Sequence, residues 1–240
     1  MLISGDNCCL SCIYYNADKI TNVYVNKEKR ELYKKTIEKF NLTPITQYLS
    51  KKELLIIGRE DKRSSNNIII RRKKYQSSQI NEIITSKSEK SLIIGLDQLT
   101  DQNNLGNIIR TSVLMGADGI VLTEHSSAQI TNITSNTSSG ATEIIKHHLS
   151  KNLSRTLDYL KKNGYWIYSL DMGGKEINDK FKFDKKSVLI VGNEGKGIRK
   201  NILDKSDFKV SIPQKKIKGI DSYNVANSLA MISYHYKINN

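Results

Sequence analysis

The sequence predicts an α/β protein whose mostly parallel sheet is covered by helices on both faces. Two observations carry this. Beyond residue 90, apolar runs of strand length alternate with segments of helical period. Three of these runs end in short stretches rich in Gly, Asn and Ser, at the sheet edge where open α/β folds place their ligands.

Taken in order, "ITNVYVN" (Ile20–Asn26) reads as a strand, "KEKRELYKKTIEKF" (Lys27–Phe40) as a charged amphipathic helix and "NNIIIRR" (Asn66–Arg72) as a strand. Residues 1–75 are therefore expected to form a small α/β module. The polar stretches "RRKKYQSSQ" and "TSKSEK" flank a short apolar interlude, which makes 76–90 the expected linker. In a second domain, 91–240, strands are expected at Ser91–Leu96, Gly119–Glu124, Tyr165–Asp171, Val188–Gly192 and Phe208–Ile212. Helices are expected at Leu105–Met115, Leu153–Asn163, Lys200–Lys205 and Asn224–Ile238. The last carries Val225, Leu229, Ile232 and Tyr236 at helical spacing, a core or dimer face.

The chain has 240 residues and a net charge of +14, from 38 Lys and Arg against 24 Asp and Glu. Phosphate polymers are the natural partners of such a chain, although Lys, Asn and Ile are all abundant, as they are in AT-rich coding sequence. Two basic runs stand out, Arg71–Lys74 and Lys215, Lys216 and Lys218. Apolar runs such as Ile68–Ile70 and Val188–Val191 are far too short to span a bilayer. No basic n-region leads into an apolar stretch at the N-terminus, so a cytoplasmic protein without membrane contact is expected. Cys8, Cys9 and Cys12 crowd one end with no later Cys and no His before His125; they are expected to be reduced thiols in a partly buried helix, with no metal.

Three stretches carry candidate chemistry. In "NNLGNIIRTS", Asn104 fits a helix N-cap and Gly106 permits close backbone approach. Arg110 falls among Ile108, Ile109 and Val113, where a charge would require a partner. "VLIVGNEGKGIR" runs an apolar strand into Gly192, Gly195 and Gly197, a loop that bares backbone groups to a ligand. It is not a phosphate-binding P-loop, because Ile198 stands where the Lys should be; the dinucleotide fingerprint is missing as well. Glu194 inside this loop is either solvated or functional. In "VSIPQKKIKGIDSYNVANSLAM", Ser222 and Asn224 stand at the mouth of the last helix, where "DSYN" alone reads as a cap.

In this order, "LDQLTDQNNLGNIIRTS", "LIVGNEGKGIR" and "IPQ…SYNVANSLA" resemble the three motifs of the SpoU (TrmH) family of RNA 2′-O-ribose methyltransferases, in the SPOUT superfamily. The intervening "SSAQITNITSNTSSGATE" also follows the family pattern, and the resemblance runs from about Ser91 to the C-terminus. It implies a trefoil-knotted C-terminal domain, which binds S-adenosyl-L-methionine in a bent form against backbone, and a homodimer with its active site at the interface. Carried over position by position, Asn104, Arg110, Glu194, Ser222 and Asn224 are the polar active-site residues, and Gly192, Ile212 and Tyr223 the cofactor contacts. The family's Arg is proposed to assist deprotonation of the ribose hydroxyl. Because an Arg stays charged, Arg110 is expected to position a phosphate and stabilise the developing alkoxide.

The chain order most resembles the ribosomal RNA guanosine methyltransferases, whose small N-terminal domain is ribosomal-protein-like and binds the substrate. A guanosine of 23S rRNA is accordingly the expected target, with a tRNA ribose methyltransferase or a catalytically inactive RNA-binding homologue as alternatives. Three departures are visible: Tyr223 stands where the family has Leu, Lys-rich residues lengthen the turn from Pro213 to Ser222, and "RSSNN" (Arg63–Asn67) stands where relatives show His-Gln-Gly.

Overall fold

The computed structural model describes residues 1–59, 67–84, 89–215, 217–219 and 221–239; most of "RSSNN" and of "TSKSEK", together with Lys216, lies outside them. The first elements are β1 (Leu2–Ser4), α1 (Asp6–Asn16), β2 (Ile20–Asn26), α2 (Arg30–Lys39), β3 (Thr46–Leu49), α3 (Lys51–Arg59) and β4 (Ile68–Arg72). Then come α4 (Ile80–Ile83), β5 (Ser91–Asp97), α5 (Gln102–Met115), β6 (Gly119–Thr123), α6 (Asn132–Thr137), β7 (Lys146–Ser150) and α7 (Leu153–Lys162). The chain closes with β8 (Trp166–Glu176), β9 (Lys186–Gly192), α8 (Lys200–Leu203), β10 (Phe208–Ser211) and α9 (Val225–Asn239).

Two compact units result: Met1–Gln76 with Gln129–Ile144, and Ser77–Ala128 with Ile145–Asn240. The chain thus leaves the second unit after Ala128, contributes a segment to the first, and returns at Ile145. This segment was expected within the 91–240 domain. Its membership in the first unit has a physical cause, a buried polar cluster. Arg72, from the end of β4, donates to Glu143 at 2.9 Å, and both side chains are almost wholly buried. The guanidinium lies 3.8 Å over the Tyr75 ring, and Asn16 donates to Glu143 from α1. Burial pushes the Glu143 carboxyl above its usual value, against the opposing pull of Arg72, Tyr75 and Asn16. Gly140, at φ 84°, brings the segment so close to α1 that an added Cβ would lie 2.7 Å from Ser11 and 3.0 Å from the Cys8 backbone.

The first unit's sheet, ordered β1-β4-β2-β3, is mixed, with only the β2–β3 pair parallel. On one face Ile13, Val23, Val25, Tyr33, Ile37 and Ile70 form its core. Cys8, Cys9 and Cys12 form no disulfide and are buried in α1; burial pushes Cys9 up and Cys12 up to about 12, so these two thiols stay protonated at neutral pH.

The second unit's sheet has the order β10-β8-β9-β5-β6-β7, and every pairing in it is parallel. β5, β6 and nearly all of β9 are buried on both faces, which is why their sequences are continuous apolar runs and not alternating ones. Leu153, Leu157 and Leu160 bury one stripe of α7, and Asn152 caps it by accepting the Arg155 N–H at 3.1 Å. Leu229, Ile232 and Tyr236 of α9 are buried, and the Tyr236 hydroxyl donates to the Lys185 carbonyl at 2.7 Å. That face is core.

The second unit also differs from expectation in two places. Part of the expected linker is built into the second unit: Ser78 donates its N–H to His147 of β7 at 2.7 Å, and Ile83 of α4 is buried in the core with Ile93 and Val121. β7 itself, "KHHLS", is an additional strand; as an edge strand it needs little apolar sequence.

Candidate active site

The three singled-out stretches all follow C-terminal ends of the parallel strands, and hydrogen bonds join them. β5 ends at Asp97, and the chain turns into α5 through Asp101, whose side chain accepts the Asn104 N–H at 2.7 Å. Asp101, not Asn104, is therefore the N-cap. Asn104 lies one turn inside the helix, with its side chain free for other partners. Its Nδ2 donates to Glu194 Oε1 at 3.1 Å, and its Oδ1 accepts from Asn224 Nδ2 at 3.0 Å. The Asn224 Oδ1 accepts the Ala226 N–H at 2.9 Å and so caps α9. One amide thus serves as both cap and link.

Glu194 is held in place and is not merely solvated. Besides Asn104, it accepts from the Thr100 hydroxyl at 3.2 Å, the Thr100 N–H at 3.4 Å and the Asp101 N–H at 3.2 Å. Partial desolvation would raise its carboxyl, but these donors, with its own backbone N–H, outweigh that and hold it below the usual glutamate range. A carboxylate occupied by this many donors is a clamp on the start of α5 and poorly placed to accept a proton.

The loop carrying Glu194 closes on itself. Asn193 and Gly197 exchange backbone hydrogen bonds at 3.1 and 2.9 Å, while Asn193 Oδ1 accepts from Gly195 and Lys196 and its Nδ2 donates to the Gln98 carbonyl at 2.9 Å. At the root, Gly192 pairs with Asp97 across the sheet and is buried. A Cβ there would lie 2.3 Å from the Gly197 backbone, so only glycine permits the closure.

Ile212, Ser222 and Tyr223 line a cleft of about 480 Å³, with Leu170 and Met172 as apolar walls and Asp171 among its polar groups. Gly192 is not among its lining residues. Nor does Arg110 stand where its sequence neighbours suggested. Ile108 and Ile109 are fully buried, but Arg110 is exposed, because six residues along a helix turn it about 240° from Asn104. It makes no hydrogen bond or ion pair with a described residue.

Residues 91–234 match the model of the SpoU rRNA Methylase family. The chain belongs to that family. A Borreliella burgdorferi protein named as an uncharacterized tRNA/rRNA methyltransferase is 38% identical over 151 residues, which are 63% of this chain and 65% of that protein; the chain thus spans under two thirds of its relative's length. The SpoU methyltransferase AviRb from Streptomyces viridochromogenes, solved with AdoMet, superposes with a TM-score of 0.79 at 19% identity over 99% of this chain and 89% of that one. An AdoMet-bound rRNA methyltransferase from Sinorhizobium meliloti gives 0.76 at 20% identity, over 98% of this chain and 85% of that one. At these identities the likeness is one of fold.

In this SpoU chain, sequence reasoning missed Asp97, Thr100, Asp101, Asn193 and Arg199. Each lies inside or beside a quoted motif, and each acts on backbone or on another side chain of the site. A buried Asp ending an apolar strand, as at "SLIIGLD", was the one available signal, since such a carboxylate requires a partner.

The expected basic run Arg71–Lys74 is not a continuous cationic patch. Lys73 and Lys74, beyond the end of β4, are exposed, but Arg72 turns into the first unit, where Glu143 neutralises it. Among the described residues no helix is long and apolar enough to cross a membrane.

Proposed function

We propose that this SpoU-family chain transfers a methyl group from S-adenosyl-L-methionine to a ribose 2′-hydroxyl of RNA, with a guanosine of 23S rRNA as the target. The observation that carries this is the hydrogen-bonded chain Glu194–Asn104–Asn224, which links all three motifs at the C-terminal sheet edge. The reading includes a cytoplasmic homodimer, a trefoil knot built from the Gly192 loop and the turn from Pro213 to Ser222, and an RNA-binding role for the first unit.

The cleft suits the cofactor. Its volume lies within the range of small-ligand sites. Its apolar walls fit a flat base, and Asp171, which accepts the Gly173 N–H at 3.0 Å through Oδ2, leaves Oδ1 for a hydroxyl or cationic group. When bound there, S-adenosylmethionine supplies an electrophilic methyl on a sulfonium. Ile212 and Tyr223 border it, and Ser222 presents its hydroxyl on the same cleft.

Glu194 orients Asn104 and keeps α5 in register with the loop. Arg110, exposed and without a described partner, is available to an RNA phosphate and to the alkoxide that develops as the hydroxyl loses its proton. The names of relatives, which pair tRNA with rRNA and methylation, support the substrate class.

Ribose-methylation mapping of total RNA with and without the gene tests the reading. Loss of one ribose methyl in 23S rRNA is expected. Loss of a tRNA site instead would move the target, and no lost site in any RNA would leave an RNA-binding homologue without catalysis.

A further inference from the structure

The Asp97–Arg199 pair is the most fully engaged ion pair near the site, and the proposed reaction uses neither residue. Asp97 ends β5 with its side chain fully buried, whereas Arg199 remains 40% exposed. Arg199 donates its backbone N–H to Oδ2 at 2.9 Å, its Nε to Oδ1 at 2.9 Å and to Oδ2 at 3.2 Å, and its Nη2 to Oδ1 at 2.6 Å. One edge of the guanidinium is thus fixed on a desolvated carboxylate.

A guanidinium has a second edge. Of its five N–H donors, both on Nη1 and one on Nη2 remain after the Asp97 contacts, and Nη1 has no hydrogen-bond partner among the described residues. The remaining donors form a planar fork that matches two oxygens of a phosphate. Lys196 and Lys200, before and after Arg199 in sequence, are exposed, while Glu194, the acidic residue of the same loop, is turned to Thr100, Asp101 and Asn104.

We propose that Arg199, held rigid by Asp97, is a phosphate-binding residue for the RNA backbone beside the active site. Because its fork is already ordered, it would fix RNA register relative to the Glu194 loop without reading sequence. The inference rests on the RNA methyltransferase reading.

The deciding variant is Arg199→Lys in the full chain. A lysine keeps a positive charge opposite Asp97 but has no planar second edge. Binding of a labelled, mixed-sequence single-stranded oligoribonucleotide across a salt series should then weaken roughly tenfold, with the slope of log affinity against log salt falling by about one. A second probe of different sequence should lose affinity by the same factor. Affinity for S-adenosylmethionine, measured calorimetrically without RNA, should stay within about twofold of wild type.

Asp97→Asn with Arg199→Met, which removes both charges together, should give the same loss of slope. A Lys variant with wild-type RNA affinity and slope overturns the proposal, as does one that loses cofactor affinity while its RNA slope is unchanged, since Arg199 would then be an internal strut. If the wild-type chain binds S-adenosylmethionine but no RNA at any salt, the RNA reading itself has failed and this inference falls with it.

Discussion

Arg110 and Asn104 share a helix but face different surfaces, Arg110 exposed and Asn104 bonded to Glu194. If Arg110 contacts an RNA phosphate and the developing alkoxide, Arg110→Ala should lower turnover by about 10²–10³-fold, as loss of one such donor does elsewhere. Arg110→Lys should recover only a small part, because the fork is lost. Cofactor affinity should survive both changes; single-turnover methyl transfer beside calorimetry checks this, and a fully active Lys variant would contradict it. For Glu194 the observable is pH. Its carboxyl titrates below the usual glutamate range in the folded chain, so the ionised form is the stabilised one. Its contribution is complete above the unfolded value and lost as pH falls through the folded one. Wild type should therefore melt higher than Glu194→Gln at neutral pH, by a margin that holds down to about pH 5 and narrows as pH falls further through the folded value. A margin independent of pH would mean that charge is not what the clamp uses.

At the scale of elements, the site is a strand end, a loop and two helix starts, each fixed by backbone requirements more than by chemistry. Gly192 shows this most directly. A methyl there would meet backbone at 2.3 Å, which cannot rotate away as a side chain can. Gly192→Ala should cost about 3 kcal/mol, the upper end for overpacking, and lower the melting temperature by roughly 6–12 °C. Scanning calorimetry checks the value, and a change under about 2 °C would show that the loop can open without strain. Asp101 and Asn224 do comparable work at the two helix starts; they leave the Asn104 side chain, which resembled a cap in sequence, to act between motifs.

For the whole molecule, one buried ion pair helps hold residues 129–144 in the first unit. Glu143 lies in a segment flanked on both sides by second-unit sequence, yet it meets Arg72 inside the first unit. Removing one partner leaves the other charge buried without compensation, so Glu143→Ala should destabilise the first unit by about 3–5 kcal/mol. Arg72→Met combined with Glu143→Leu should restore most of that, since a well-packed apolar pair avoids the desolvation penalty. Hydrogen exchange resolved across residues 1–76 and 129–144 reads both outcomes. Equal losses in the single and double variants would show that packing, and not charge, secures the segment.

What the sequence determined by itself was the periodic part. The runs at Ser91, Gly119 and Val188 became strands because a sheet buried on both faces demands unbroken apolar sequence, and Leu153, Leu157 and Leu160 announced a helix by spacing alone. The motifs also named Asn104, Glu194 and Asn224, though not that they bond to one another. Tertiary structure decided the rest, and the reason is common to each case. The exposure of Arg110 depends on which helix face the core takes, the neutralisation of Arg72 on a residue 71 positions away, and the outward edge of Arg199 on a carboxylate 102 positions away. Local sequence fixes which atoms a side chain offers, but only the folded chain fixes which of them are already taken.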